Sequence, residues 1–247
     1  QAHALWTRPQ GSTRLGIGLH EGWRSWTGLN GQHQLALGRH ASVGVQAAWR
    51  EPADAGPALR LAGWQHRLGL NLHYRPSGRD DIALGLGWQR FETQAGDPLG
   101  HSHSVEARYT LWWRRAAPDL GLDLFTSHHH HRFADRTVDA TFTPLAPAGS
   151  ALPLRSGFFA VSGSREHGLR LHSNLGWAER HSRRWQPYGS LALVHNARSG
   201  WRRDVELGLA GSWLGSDHAH LYWRRSGSGD PQTDTTRQLG FDQRIPF

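Results

Sequence analysis

Four consecutive histidines, His128–His131, form the densest group of potential metal ligands in the chain. Imidazole nitrogens bind Zn²⁺, Ni²⁺ and Cu²⁺. On a β-strand, however, His128 and His130 point to one face and His129 and His131 to the other, because side chains alternate. At most two rings can therefore bind one ion, and the run contains no Asp or Glu. We interpret the run as a strand end before a long loop, and we predict no metal site and no cofactor.

Serine and histidine also occur close together in the sequence, in the pairs His195 with Ser199, His101 with Ser104, and His167 with Ser164. A serine nucleophile needs a base within hydrogen-bond reach and a third group that orients the base. With 18 histidines in the chain such pairs arise by chance, and no Gly-x-Ser-x-Gly motif is present. We therefore predict no catalytic residues and a protein that is not an enzyme. A lipid-modifying outer-membrane enzyme, a lipase or deacylase, is the alternative that these pairs leave open.

The composition excludes several classes of protein. The chain has 247 residues, no cysteine and a net charge of +8, and all 28 of its Lys and Arg residues are arginines. Without cysteine there is no disulfide or thiolate metal site, and no apolar run reaches the ~20 residues of a transmembrane helix. The arginines are spread along the chain, so we predict contact with an anionic lipid surface and no nucleic-acid partner. The chain has neither a starting Met nor a secretory signal, so we expect it to derive from a longer protein.

Hydrophobic residues alternate with small or polar ones along most of the chain, which is typical of strands with two unlike faces. The clearest segments are Leu15–His20, Val43–Arg50, Leu68–Tyr74, Ile82–Trp88, Val105–Trp113, Leu169–Trp177, Val205–Trp213 and Leu239–Phe247. Short and long links alternate between about twelve such segments, as in membrane barrels. The pattern therefore predicts that residues 1–247 have an all-β fold. They are expected to form a transmembrane antiparallel up-and-down β-barrel of about 12 strands, or part of a 16-strand barrel. A soluble Trp-rich β-sandwich is the alternative, in which the apolar face packs on a second sheet.

Aromatic residues lie at the predicted strand ends, where a barrel meets the two membrane interfaces. They are Trp23, Trp26, Trp49, Tyr74, Trp88, Trp112, Trp113, Trp177, Trp185, Trp201, Trp213 and Trp223. The last strand carries Phe241, Ile245 and Phe247, which resemble the carboxy-terminal signal that the barrel-assembly machinery recognises. These features predict the outer membrane of a Gram-negative cell, with both termini in the periplasm.

The strand faces opposite the apolar residues are expected to line a polar lumen. The predicted lumen and substrate path consists of Arg50, His73, Gln89, Glu106, Arg108, Asp123, Arg170, His172, Asn174, Glu206, Arg224, Asp242 and Arg244. We expect some of these side chains to pair across strands and the others to bind a hydrated solute. Residues 133–163 form a long loop, and such loops are usually functional. We expect this loop to fold inward as a plug or gate.

Several turns and strand ends resemble the carboxy-terminal porin domain of PelB-type proteins, which export Pel exopolysaccharide through the outer membrane. The resemblance lies in Trp49–Pro57, Leu68–Glu92 with its turn Ser77–Asp80, Leu99–Val105, Ala117–Leu120, Leu214–Asp217 and the strand that ends at Phe247. It covers most of the chain and includes no catalytic motif. In that family a barrel of around sixteen strands follows a tetratricopeptide scaffold.

The resemblance implies an outer-membrane pore through which an exopolysaccharide diffuses without chemistry. The partners that it implies are the exopolysaccharide, outer-membrane lipid, the barrel-assembly machinery and a periplasmic scaffold or lipoprotein. The excess of arginine also fits a general anion-preferring porin, and the residues alone leave both functions open.

Overall fold

In the part of the chain that the structure describes, thirteen antiparallel strands follow one another in chain order within one sheet. A computed structural model describes residues 2–8, 10–21, 25–53, 59, 63–138, 155–160, 162–178, 182–213, 217–227 and 235–244. The strands are β1 (Ala2–Arg8), β2 (Gly11–His20), β3 (Trp26–Leu37), β4 (Ala41–Pro52), β5 (Gly63–Tyr74), β6 (Asp80–Thr93), β7 (Pro98–Arg114), β8 (Leu120–Phe133), β9 (Ser164–Ser173), β10 (Gln186–Asn196), β11 (Gly200–Gly211), β12 (His218–Gly227) and β13 (Thr236–Arg244). The predicted all-β, up-and-down architecture is confirmed. No helix among the described residues is long and apolar enough to cross a membrane.

The first hairpin accounts for the difference between the strand number predicted and the thirteen strands observed. The sequence pattern treats everything before Glu21 as one strand, but Arg8 pairs with Gly11, so the chain reverses between them. The signal that was missed is Pro9 followed closely by a glycine, since proline cannot donate to a strand ladder. An odd number of alternating strands starts and finishes at opposite strand ends. The expectation that both termini lie in the periplasm assumed an even number of strands. The additional strand removes the reason for that expectation.

The links define two ends of the strands, which we call the turn end and the loop end. The turn end carries residues 38–40, 75–79 and 115–119, and the loop end carries residues 134–163 and 228–235. One link at the turn end is longer than expected, because β9 stops at Ser173 and does not continue to Trp177. Asn174 adopts a left-handed φ of 56° there, a conformation that asparagine tolerates better than most residues. A 3-10 helix, Leu175–Ala178, replaces the predicted end of the strand.

The chain divides into two compact units. Unit 1 consists of Gln1–Tyr74, Ala83–Glu106 and His128–Gly163, and unit 2 of Arg75–Ile82, Ala107–Ser127 and Ser164–Phe247. In unit 1 the buried hydrophobic residues include Phe91, Leu99 and Phe159, and Phe91 stacks on Phe133 with 5.7 Å between ring centroids. In unit 2 the buried hydrophobic residues are mostly small, such as Ala192 and Ala210. Among the described residues, the leucines of most strands are exposed, unlike those of a soluble sandwich.

Candidate substrate conduit on the polar strand faces

Each strand has two unlike faces, which we call the apolar face and the polar face. On the apolar face Leu191 and Leu207 are 55% and 56% exposed, whereas Ala192 and Ala210, on the polar face of the same strands, are 3% and 1% exposed. The alternation of side chains along each strand produces this contrast. In a membrane barrel the exposed apolar face contacts lipid and the polar face lines the interior.

Large aromatic residues lie near both ends of the apolar faces. At the turn end Trp213 is 67% exposed and meets Trp185 edge to face at 5.2 Å, and Trp113 is 54% exposed. At the loop end Trp201 is 54% exposed. An indole ring with an apolar body and a polar N–H suits a membrane interface.

Other residues of the predicted aromatic belt take different places. The indole N–H of Trp26 donates to the carbonyl of Arg50 at 2.8 Å, and that of Trp112 donates to Asp81 at 2.6 Å. The indole N–H groups of these two residues thus form hydrogen bonds within the protein and not with the membrane interface. Trp23 and the side chain of Trp177 lie outside the described residues.

In unit 1, the residues predicted for the lumen do not form a single cluster. Arg50 has a left-handed φ of 53° where the β4–β5 register shifts, and its guanidinium carbon lies 4.4 Å from the ring centroids of Trp49 and Trp64. This cation–π arrangement places Arg50 at the loop end, among aromatic rings. Glu106 lies on the polar face, 3.7 Å from His129. His73 and Gln89 are half-buried residues of β5 and β6.

In unit 2, Asp123 and His172 form a buried pair on the polar faces of β8 and β9. The His172 Nε2 atom lies 3.3 Å from the Asp123 carboxylate, which also accepts a 2.7 Å hydrogen bond from Thr110. Trp112 meets His172 edge to face at 5.1 Å, and both members of the pair are less than 10% exposed. A buried carboxylate needs such partners, so this group stiffens the wall.

The remaining predicted residues of unit 2 are more accessible, apart from Asn174, which is buried at the end of β9. Glu206 and Arg224 pair at 3.0 Å, and Asp242 lies 3.9 Å from Arg244. The other two are Arg108, which is exposed on β7, and Arg170, whose guanidinium carbon lies 5.6 Å from the ring centroid of Phe125. The structure thus joins several of the predicted residues in cross-strand or same-strand pairs.

One polar cluster of unit 2 was missed by the sequence argument. Arg202 lies 2.7 Å from Glu166 and 3.1 Å from Asp204, and Asp204 accepts a 2.5 Å hydrogen bond from Ser226. Arg202 and Asp204 share a strand face, which alternation could have indicated. Glu166 is 36 residues away in the chain, and only the strand register brings it close.

In the part of the chain that the structure describes, neither the histidine run nor the serine–histidine pairs belong to a group of three or more potential metal ligands. None of the three pairs is joined by a hydrogen bond among these residues. His195 lies beside His167 instead, with 4.8 Å between the ring centroids. In the run, His129 and His131 are half-buried, and His128 and His130 are exposed on the other face.

The aromatic signal of the last strand is described only in part. Phe241 lies on the apolar face of β13 and is 57% exposed. Ile245 and Phe247 lie outside the described residues.

Comparisons with known proteins agree with this architecture. The sequence model of the PelB C-terminal β-barrel domain matches residues 1–245. A bacterial polysaccharide outer membrane secretin has a similar fold, with a TM-score of 0.57 and 11% identity over 97% of this chain and 76% of that chain. A porin structure has a TM-score of 0.50 and 12% identity over 98% of this chain and 79% of that chain. No curated protein matches the chain. The fold is that of an outer-membrane β-barrel, and not that of a soluble sandwich.

Proposed function

Because the chain belongs to the family of PelB C-terminal β-barrel domains, we propose that it is an outer-membrane pore through which an exopolysaccharide leaves the cell. The observation that carries this proposal is the family match over residues 1–245, in a chain whose strands alternate exposed leucines with polar side chains. Passage is diffusive, and no catalytic residue or cofactor takes part.

The polar faces suit a hydrated sugar chain. A sugar that enters the pore exchanges hydrogen bonds to water for hydrogen bonds to the wall. Several charged groups of the wall are already paired, as in Arg202 with Glu166 and Arg224 with Glu206. Paired charges bind a passing chain more weakly than isolated charges would, and transport requires a solute to leave each site easily.

We assign the contacts with the sugar to the accessible residues of the polar faces. They are His73, Gln89, Glu106, Arg108, Arg170, Glu206, Arg224, Asp242 and Arg244. The buried Asp123 and His172 support the wall from within. We assign no sugar contact to Arg50 or Asn174. Arg50 lies beside two tryptophans, and Asn174 lies at the end of β9.

We further propose that the turn end faces the periplasm and the loop end faces the outside. Long links on the outer side and short links on the inner side are typical of outer-membrane barrels. In this orientation β13 ends in the periplasm, where its aromatic residues meet the barrel-assembly machinery. A periplasmic scaffold or lipoprotein would then deliver the exopolysaccharide to the turn end.

Planar-bilayer recordings test the pore with two sugar probes of equal length, a cationic amino-sugar oligosaccharide and neutral dextran. We expect both probes to interrupt the current reversibly. Glu106 is an exposed carboxylate of the polar face, so Glu106→Gln should shorten the blocks by the cationic probe roughly two- to fivefold. Glu21→Gln, which changes an exposed carboxylate in a link at the loop end, is the matched control. A barrel that conducts no ions even after residues 139–154 are removed would contradict the proposal.

A further inference from the structure

Strands β11 and β12 each carry the sequence Trp-Arg-Arg, ending at Arg203 and Arg225. Because side chains alternate, one arginine of each pair lies on the polar face and the other on the apolar face. Arg203 shares the apolar face with the exposed Leu207, four residues along β11, and Arg225 pairs with Val205 on that face. Two arginines of unit 2 therefore point to the side on which leucines meet lipid.

These two arginines differ from their neighbours in charge pairing. The polar-face arginines of the two motifs are neutralised by Glu166 and Glu206, at 2.7 and 3.0 Å. Among the described residues, no carboxylate pairs with Arg203, Arg225 or Arg237, and all three are exposed. Within the described part of the chain their positive charge is therefore not neutralised.

The strand register brings the three unpaired arginines together. Arg225 pairs directly with Arg237 across β12 and β13, and Arg203 lies diagonally opposite Arg225, since it pairs with Gly227. Directly opposed side chains have Cβ atoms about 5 Å apart, diagonal ones about 7–8 Å, and like charges at such positions destabilise a sheet. An anion between the guanidinium groups would remove this repulsion.

A groove on the same face lies beside Arg203 and Arg225. It has a volume of about 640 Å³ and is lined by Leu191, Leu193, Trp201, Arg203, Val205 and Arg225, among others. The hydrophobic residues of the groove lie level with the arginines, since Leu193 pairs with Arg203 and Val205 with Arg225. Farther from the loop end the same face continues with the exposed Leu207, Leu209 and Phe241. A ligand that fits this order has an anionic head at the membrane interface and hydrocarbon chains below it.

We propose that Arg203, Arg225 and Arg237 form a binding site for the phosphates of lipid A, the phosphorylated glycolipid anchor of lipopolysaccharide. Guanidinium groups bind phosphate through paired hydrogen bonds, and the acyl chains lie along the exposed leucines farther from the loop end, such as Leu207 and Leu209. This assignment rests on the proposed orientation, which puts the loop end at the outer leaflet, where lipopolysaccharide is the anionic lipid.

The test measures the binding of Kdo2-lipid A to the purified chain in a neutral detergent, by native mass spectrometry or fluorescence. The triple variant Arg203→Gln/Arg225→Gln/Arg237→Gln removes three charge-assisted contacts with the phosphates. It should therefore bind Kdo2-lipid A at least about tenfold more weakly than the wild type does. The matched control, Arg39→Gln/Arg183→Gln/Arg184→Gln, removes the same charge from exposed positions at the turn end and should change binding less than about twofold. Heat-dependent migration on gels verifies that each variant is folded.

A second comparison varies the lipid. Wild-type protein should bind a lipid A without phosphates about as weakly as the triple variant binds Kdo2-lipid A, and the triple variant should not distinguish the two lipids. The proposal is overturned if the triple variant keeps wild-type affinity, or if phosphatidylglycerol binds wild type as tightly as lipid A does. Lipid A binding by a barrel that shows no sugar-dependent current would refute the proposed transport function and leave this site intact.

Discussion

Tyrosine and glycine alternate across four neighbouring strands of unit 2, in the row Tyr188, Gly208, Tyr222 and Gly240. Tyr188 is 5% exposed, and a Cβ atom added at Gly208 would overlap the tyrosine ring. Gly240 is covered by Tyr222 in the same way. Each tyrosine ring lies over the backbone of the next strand, where only glycine leaves enough room for the ring. This arrangement also fixes the register of the strands.

Gly208→Ala should lower the free energy of unfolding by about 1–3 kcal/mol, because the added methyl group forces the buried Tyr188 ring to move. Urea-dependent unfolding in detergent micelles, followed by tryptophan fluorescence, measures this change. Gly44→Ala is the matched control, since the nearest atom to an added Cβ is 3.8 Å away, and its effect should stay within about 0.5 kcal/mol. In a Tyr188→Ala background Gly208→Ala should cost much less, and an equal cost in both backgrounds would show that the ring is not responsible.

At the scale of the strands, alternation alone predicts most of the fold. Period-two patterns identify strand faces because a strand with one lipid-facing side must repeat every second residue. The pattern is less informative where the backbone changes direction. Asn174 ends β9 early through its left-handed conformation, and Arg50 adopts a similar conformation at the β4–β5 register shift. Neither deviation is visible in a pattern of hydrophobicity.

The pairs within the site are harder to predict than the strands. Assigning Arg202 and Glu166 to polar faces needs only alternation, but their 2.7 Å contact depends on how β9, β10 and β11 are aligned. A shift of one residue would turn every side chain of a strand to the other face. The Tyr188–Gly208 contact depends on the same register, so cross-strand partners follow only once the alignment of the strands is known.

The long link between β8 and β9 is fixed at both of its ends. Thr137 forms a β-bridge with Arg155, the amide of Ser156 donates to the carbonyl of Arg136 at 2.8 Å, and Arg155 lies 2.6 Å from Asp135. Residues 139–154 lie outside the described part of the chain. Because the bridge closes the base, these residues can be replaced by a short turn without separating the strands.

Replacing residues 139–154 by Asn-Gly should raise single-channel conductance, if this loop acts as the gate that we propose. The bridge between Thr137 and Arg155 should remain, since Val138-Asn-Gly then forms a three-residue hairpin loop with glycine in its last position, a common connection between paired strands. Removing residues 229–234, in another link at the loop end, is the control and should leave conductance unchanged. Equal conductance of wild type and the first variant in planar bilayers would contradict a gating role.

Over the whole molecule, the net charge of +8 does not predict an anion-selective pore. Acidic groups of the polar faces have basic neighbours, for example Glu51 with Arg67 in unit 1 and Glu206 with Arg224 in unit 2. Some arginines without a carboxylate partner, such as Arg225, lie on the apolar face, outside the path of the solute. Ions inside the pore should therefore meet a wall whose positive and negative charges nearly cancel, as a conduit for a sugar chain requires.

The reversal potential in a KCl gradient should consequently lie close to zero for the wild type in phosphatidylcholine bilayers. Arg224→Gln leaves the carboxylate of Glu206 unpaired on the polar face, so the reversal potential should shift toward cation preference. Arg225→Gln removes the same charge one residue away on the other face, and its reversal potential should match that of the wild type. Strong anion preference in the wild type would favour a general porin for small anions, and equal shifts in the two variants would contradict the assignment of the faces. The comparison uses adjacent residues, so it separates charge inside the conduit from charge that faces the lipid.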